Sequence, residues 1–195
     1  MKTIGVVLAG GRSTRFGEQK SLYELGGKKM YQHVYDVLSD AGVCDEIVIN
    51  TNKVLAPYFD YETVIDDEDY QDYGPLGGLY AAARAYPGAR LLVVSCDTPF
   101  ITAEWLRKLH DLAVSNPNTF IVSTEDDRMH PTISVFQCTD LIEELAGQLQ
   151  SERLSFKAFF NNKDVKMLDI SETEESPGIF RNINYKSDIE QGGML

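Results

Sequence analysis

Cysteine is scarce. Cys44, Cys96 and Cys138 are odd in number and far apart, and no C-x-x-C pair occurs. This excludes a disulfide framework and a structural zinc site and leaves three reduced, mostly buried thiols. Long apolar runs are missing as well, since none approaches the roughly 20 residues that cross a bilayer. The run Ile4–Ala9 is too short for a signal peptide and ends in glycines, not a cleavage site. A cytoplasmic protein without membrane association is the expectation. Cations are in deficit: 18 Lys and Arg face 30 Asp and Glu, a formal net charge of −12. Such a surface repels phosphate polyanions and argues against nucleic acid as a partner. Neither G-x-x-x-x-G-K-[ST] nor G-x-G-x-x-G occurs, so the P-loop and the dinucleotide fingerprint are both excluded.

What is present suits one folded unit over residues 1–195, with 43 % hydrophobic residues to build a core. Strand-like and helix-like patterns alternate. Thr3–Ala9 is a short β-branched run typical of a buried parallel strand. Further strands are expected at Glu46–Asn50, Glu62–Ile65, Arg90–Ser95, Thr119–Ser123, Thr132–Phe136 and Val165–Leu168. Helices are expected at Lys29–Ala41 with Gly42 as its stop, at Leu76–Tyr86, from an N-cap at Thr102 through Val114, and at Leu141–Leu149. Ser171–Ser176 is acidic and reads as a surface loop. The alternation implies an α/β, Rossmann-like fold with a mostly parallel sheet flanked by helices. Ligands of such folds bind at the carboxyl ends of the strands.

The chemistry-bearing residues sit at those ends. After the first strand comes Leu8-Ala9-Gly10-Gly11-Arg12-Ser13-Thr14-Arg15-Phe16-Gly17-Glu18-Gln19-Lys20. Paired glycines allow a sharp turn that brings backbone N–H groups close to a ligand; Arg12, Arg15 and Lys20 add charge for phosphates. From Arg12 to Lys29 the cations outnumber the anions by five to two, a local basic patch in an acidic chain. After the second strand, Asn50-Thr51-Asn52 offers amides that can read a purine or ribose, or cap a helix. Asp66-Asp67 follows the third strand, with Gly74-Pro75-Leu76-Gly77-Gly78-Leu79 shortly after. Cys96-Asp97-Thr98-Pro99 ends the fourth. One carboxylate at the end of a buried strand suits Mg²⁺, which takes one or two carboxylates plus substrate phosphates. Asp97 is therefore the expected metal ligand. His130-Pro131-Thr132 and Phe180-Arg181-Asn182-Ile183-Asn184, with Asp188 trailing, complete the set. His33 and His110 fall within helical patterns and read as structural.

The first loop, LAGG-x-S-x-R-F-G-x-x-K, resembles the signature of the nucleotidyltransferase superfamily that includes the sugar-phosphate nucleotidylyltransferases. Gln19 stands where many relatives carry Asp, and Phe16 where Met is usual. CDTP, HPT and F-x-N-x-N together resemble the molybdenum cofactor guanylyltransferase branch, the molybdopterin-guanine dinucleotide biosynthesis protein A family. The likeness runs from Leu8 to Asp188. It implies a fold of the nucleotide-diphospho-sugar transferase type. It also implies nucleotide contacts from Leu8, Ala9, Gly10, Lys20, Asn50, Asp67 and Asp97, with Lys20, Asp97 and Arg15 serving catalysis and His130, Asn182 and Asn184 on the acceptor side. Either asparagine could join the metal shell. The implied reaction moves GMP from GTP to molybdopterin with Mg²⁺ and releases pyrophosphate. Transient contacts with proteins that deliver the labile pterin or receive the product are expected. Cytidylyl transfer to molybdopterin, nucleotidyl transfer to a sugar phosphate, and non-catalytic nucleotide binding are the alternatives.

Overall fold

The computed structural model describes residues 1–11, 13–151 and 153–190. Seven strands form one sheet in the order β5-β4-β1-β6-β8-β7-β9. Four of them, β1 (Thr3–Leu8), β4 (Glu46–Thr51), β5 (Thr63–Ile65) and β6 (Arg90–Ser95), are mutually parallel. β8 (Arg128–Phe136) runs antiparallel to both β6 and β7 (Phe120–Glu125), and β9 (Val165–Asp169) lies parallel to β7. A two-stranded ribbon, β2 (Glu24–Leu25) with β3 (Lys28–Lys29), stands apart.

Alternation along the strands builds two cores. Val7 and Ala9 of the first strand segment, with Ile49, Leu92 and Val94, face one side. There they meet α1 (Met30–Ala41) and α3 (Ala103–Ser115). Ile4, Val6 and Leu8, with Val48, Leu91 and Val93, face the other side. That face packs α2 (Pro75–Ala85), α4 (Leu141–Leu149) and α5 (Phe156–Phe159). A strand buried on both faces is apolar at every position, which is why TIGVVL carries no polar alternation. The short α6 (Ser187–Glu190) closes the described chain. Gly42 ends α1 in the left-handed region at φ 67°, and the Thr102 hydroxyl accepts the N–H of Trp105 at 3.1 Å, both as expected from sequence.

β8 is longer than expected, beginning at Arg128 rather than Thr132. Asp126 and Asp127 take positive φ of 49° and 60°, the geometry of a two-residue hairpin turn. The register against β7 jumps from Val122↔Ser134 to Ser123↔His130. Pro131, which has no N–H to donate, falls in that bulge. Ser123 fills the irregularity: its hydroxyl donates to the Ile133 carbonyl at 2.7 Å and accepts from Trp105 Nε1 at 2.9 Å. Because β8 is antiparallel, its amino-terminal end, with His130, reaches the same rim as the carboxyl ends of the parallel strands.

Among the described residues no helix is long and apolar enough to cross a membrane.

Candidate active site

A cleft of about 830 Å³ opens at the carboxyl ends of the parallel strands. Leu8, Ala9, Gly10, Lys20, Asn50 and Asp97, all singled out from sequence, line it. The loop after β1 carries Lys20 back over the strand ends. Ser13, at φ 50°, turns the chain and accepts the Lys20 backbone N–H on its hydroxyl at 3.0 Å. Gln19 is no carboxylate substitute. Its amide donates to the Gly11 carbonyl at 3.1 Å and the Ser21 hydroxyl at 3.0 Å, so it braces the loop.

Lys20 Nζ lies 2.7 Å from Asp97 Oδ2 and 3.3 Å from Asn184 Oδ1. The two charged side chains are only 15 % and 14 % exposed. Asp97 Oδ1 is buried and accepts no hydrogen bond among the described residues. A buried carboxylate oxygen left this way costs free energy unless a ligand completes it. Among the described residues no group of three or more His, Cys, Asp or Glu could hold a metal unaided. A cation here would share Asp97 with ligand oxygens.

The opposite wall is closely packed. Asn50 is 3 % exposed. Its Nδ2 donates to Asp66 Oδ1 at 2.8 Å and to the Val64 carbonyl at 3.3 Å. A β-carbon at Gly78 would lie 2.0 Å from Asn50 Oδ1. The GPLGGL segment is small there to seat Asn50, while its Gly74 and Pro75 line the cleft. Asn50 caps nothing. Asn52 does, accepting the N–H groups of Val54 and Leu55 at 3.0 Å each, and it ties back to the Gly10 carbonyl at 3.3 Å.

Three sequence-derived residues lie elsewhere. Asp66, not Asp67, faces the cleft. Asp67 instead caps the turn after β5 through the Asp69 N–H and pairs with Arg84 at 2.5 Å. Successive residues of an extended segment point to opposite sides, so the aspartate pair divides. Burial is the main influence that raises the Asp66 carboxyl above its ordinary range; the Asn50 hydrogen bond opposes it and Asp72 adds to it. Arg15 is exposed on the turn at 14–16, outside the cleft lining. Arg12 lies outside the described residues. His130 lines neither the cleft nor the smaller cavity beside it. Its ring packs on Phe180 with centroids 4.8 Å apart, and its Nε2 is buried with no hydrogen-bond partner among the described residues. Burial first, then Arg128, lowers its pKa, with Glu125 opposing, which favours the uncharged imidazole.

The carboxy-terminal segment completes the rim. The Ile183 N–H donates to the Asp97 carbonyl at 2.8 Å, and Ile183 is fully buried with Phe16, Leu25 and Met30. Asn184 is thereby held beside Lys20, and Asn182 opens onto the smaller cavity. Residues 5–164 match the model of the MobA-like NTP transferase domain. The chain belongs to that family. It is a nucleotidyltransferase of the MobA-like type. It is similar to the molybdopterin-guanine dinucleotide biosynthesis protein A of Archaeoglobus fulgidus (TM-score 0.79, 20 % identity, 97 % of this chain and 95 % of that one). It is also similar to 4-diphosphocytidyl-2C-methyl-D-erythritol synthase from Anaerococcus prevotii (TM-score 0.70, 16 % identity, 97 % and 93 %). A third similar structure is a Mycobacterium tuberculosis protein solved as a complex with manganese (TM-score 0.63, 21 % identity, 87 % and 89 %). At these identities the likeness is one of fold.

Proposed function

We propose that the protein transfers GMP from GTP to molybdopterin, forming the guanine dinucleotide and releasing pyrophosphate. The observation that carries the reading is the Lys20–Asp97–Asn184 cluster, with its unpartnered Asp97 oxygen, at the mouth of a cleft sized for a nucleotide. Asn50 and Asp66 form the wall toward the base and ribose, in place of the Asp67 expected from sequence. Asp97 Oδ1 and Asn184 Oδ1 are hard oxygen donors, so Mg²⁺ fits the residues present, with triphosphate oxygens and water making up the rest of its shell. When bound it supplies neutralisation of charge along the triphosphate.

The chain's own residues then act by binding and positioning. Lys20 leaves Asp97 for the triphosphate, where its ammonium stabilises the charge that develops on pyrophosphate. The backbone of the Gly10-Gly11 turn lines the cleft where the phosphates would lie, while the Ala9 N–H is held by the Asn50 carbonyl at 2.8 Å. A phosphate oxygen of the acceptor forms the new bond to the α-phosphorus as the bond to the β-phosphate oxygen breaks. An ionised phosphate needs no base to become a nucleophile, which agrees with a site built without a Ser-His-Asp or Cys-His set; alignment and charge stabilisation carry the rate. Asn182 flanks the acceptor side.

The test is pyrophosphate release with Mg²⁺ and molybdenum-loaded molybdopterin, comparing GTP, CTP, ATP and UTP. Release with GTP alone is expected. Release with CTP alone would make the protein a cytidylyltransferase. No release by folded protein with any nucleotide would overturn the acceptor assignment.

A further inference from the structure

The loop that carries Lys20 is anchored away from both sheet cores. Among its described residues from Gly11 to Lys20, Phe16 is the one buried side chain, at 4 % exposure, and its neighbours Thr14, Arg15, Gly17 and Glu18 are exposed. Phe16 shares a small third core with Leu25, Met30 and Ile183, and Tyr23 and Phe100 pack against that core. The Tyr23 ring meets Phe16 edge-on, with centroids 5.0 Å apart. The Phe16 N–H closes a turn on the Ser13 carbonyl at 3.0 Å, and the Ser13 hydroxyl accepts the Lys20 N–H at 3.0 Å. The ring is thus tied through Ser13 to the backbone of the lysine that serves the phosphates.

The other end of the chain supplies the far side of this core. Ile183 is fully buried in it, and its N–H donates to the Asp97 carbonyl at 2.8 Å. The next residue, Asn184, accepts from Lys20 Nζ at 3.3 Å. Lys186 reaches across from the same segment. Its ammonium pairs with Glu18 at 2.5 Å and lies 6.0 Å from the Phe16 centroid and 5.7 Å from that of Tyr23. These ties differ in weight. The Lys186 and Glu18 side chains are 56 % and 48 % exposed, and an exposed pair contributes little. A buried phenyl ring takes much more apolar surface out of water. The ring, rather than the ion pair, therefore holds the loop to the segment. Methionine, flexible and of similar volume, would fill the same space; alanine would leave it empty.

We infer that Phe16 is a positioning residue for the triphosphate: seated in the core it shares with Ile183, it fixes Lys20 over the strand ends, so the loop's hold on phosphates depends on the carboxy-terminal segment. The inference rests on the nucleotidyltransferase reading of the cleft. By linkage, a triphosphate that binds the seated loop stabilises the segment in return. Mg²⁺ with tripolyphosphate, which has no base, probes the loop alone; Mg²⁺ with GTP probes the whole cleft. Each would be titrated by calorimetry into the full chain as wild type, Phe16→Ala, Phe16→Met and Lys186→Gln, with a thermal melt on every variant. Amide hydrogen exchange at Ile183, Asn184 and Tyr185 would be followed with and without ligand. In the wild type both ligands should slow exchange at those amides. Phe16→Ala, at a temperature where its melt shows it folded, should bind each about tenfold more weakly or worse and lose that slowing. Phe16→Met should restore most of both. Lys186→Gln should weaken binding less than about threefold. Wild-type exchange that the ligands leave unchanged would overturn the inference, whether or not Phe16→Ala folds. So would wild-type affinity in Phe16→Ala, or a loss in Lys186→Gln as large as in Phe16→Ala. The two readings fail separately. Phe16-dependent protection by GTP, without pyrophosphate release from any nucleotide, would leave the positioning role standing and remove the proposed reaction. Normal turnover with intact GTP affinity in Phe16→Ala would do the reverse. A wild type that binds neither ligand would remove both.

Discussion

Lys20 and Asp97 are 77 residues apart in the chain and 2.7 Å apart in space. Each neutralises the other while no triphosphate is bound, so the contact keeps two partly buried charges tolerable until a ligand exchanges partners with them. Asp97→Asn keeps the shape and removes the charge. We expect it to fold but to melt below the wild type, because Lys20 loses its counter-charge, and to lose turnover by about two orders of magnitude, the scale for removing one preorganised electrostatic group. Pyrophosphate release together with a thermal melt checks both halves; near wild-type turnover would remove Asp97 from the mechanism. Asp66 invites a test by pH. Its folded pKa is raised by burial above an unfolded value of about 3.9. Its contribution to stability is therefore present below pH 3.9 and is lost as pH rises through the folded pKa. Asp66→Asn should melt higher than the wild type at pH 7, with the difference vanishing toward pH 4. A wild type that is the more stable at pH 7 would contradict the burial argument.

At the scale of elements, the glycine-rich start of α2 serves the strand it packs on. In an ordinary helix Gly→Ala gains about 0.8–1.0 kcal/mol. At Gly78 the added methyl would meet Asn50 Oδ1 at 2.0 Å. Overpacking of that kind costs about 1–3 kcal/mol, which outweighs the propensity gain. Gly78→Ala should thus lower the melting temperature and weaken nucleotide binding by turning Asn50 away from Asp66. An unchanged melt with unchanged nucleotide affinity would show that Asn50 moves freely. Strands and helices were legible wherever one periodicity held over a whole element, as in TIGVVL or the stripe of α1. The first turn of β8 was not, because Arg128-Met129-His130-Pro131 alternates weakly and the Asp126-Asp127 turn lacks the glycine that marks such hairpins. The Asp66-Asp67 pair was ambiguous for a related reason. Two identical residues at a strand end carry no parity signal, and only the Asn50 contact settles which one faces the cleft.

Over the whole molecule, the order β5-β4-β1-β6 brings four strand ends to one rim, and the reversed β8 adds a fifth edge to it. The α/β class and the ligand-bearing rim were therefore readable from alternation and from glycines and carboxylates placed at strand ends. Which segments close over that rim was not, because the contacts of residues 180–188 are made with partners far away in sequence. Ile183 bonds to Asp97 and Asn184 to Lys20, the latter across 164 positions. This stitching has a consequence for timing. On the ribosome the parallel strands, the cleft and both charged residues are made early, yet Lys20 has no Asn184 to brace it until residues 180–188 emerge. Synthesis delivers the cleft before the segment that closes its rim, so a nascent chain ending short of Ile183 would hold Lys20 and Asp97 without the contacts that join them to that segment.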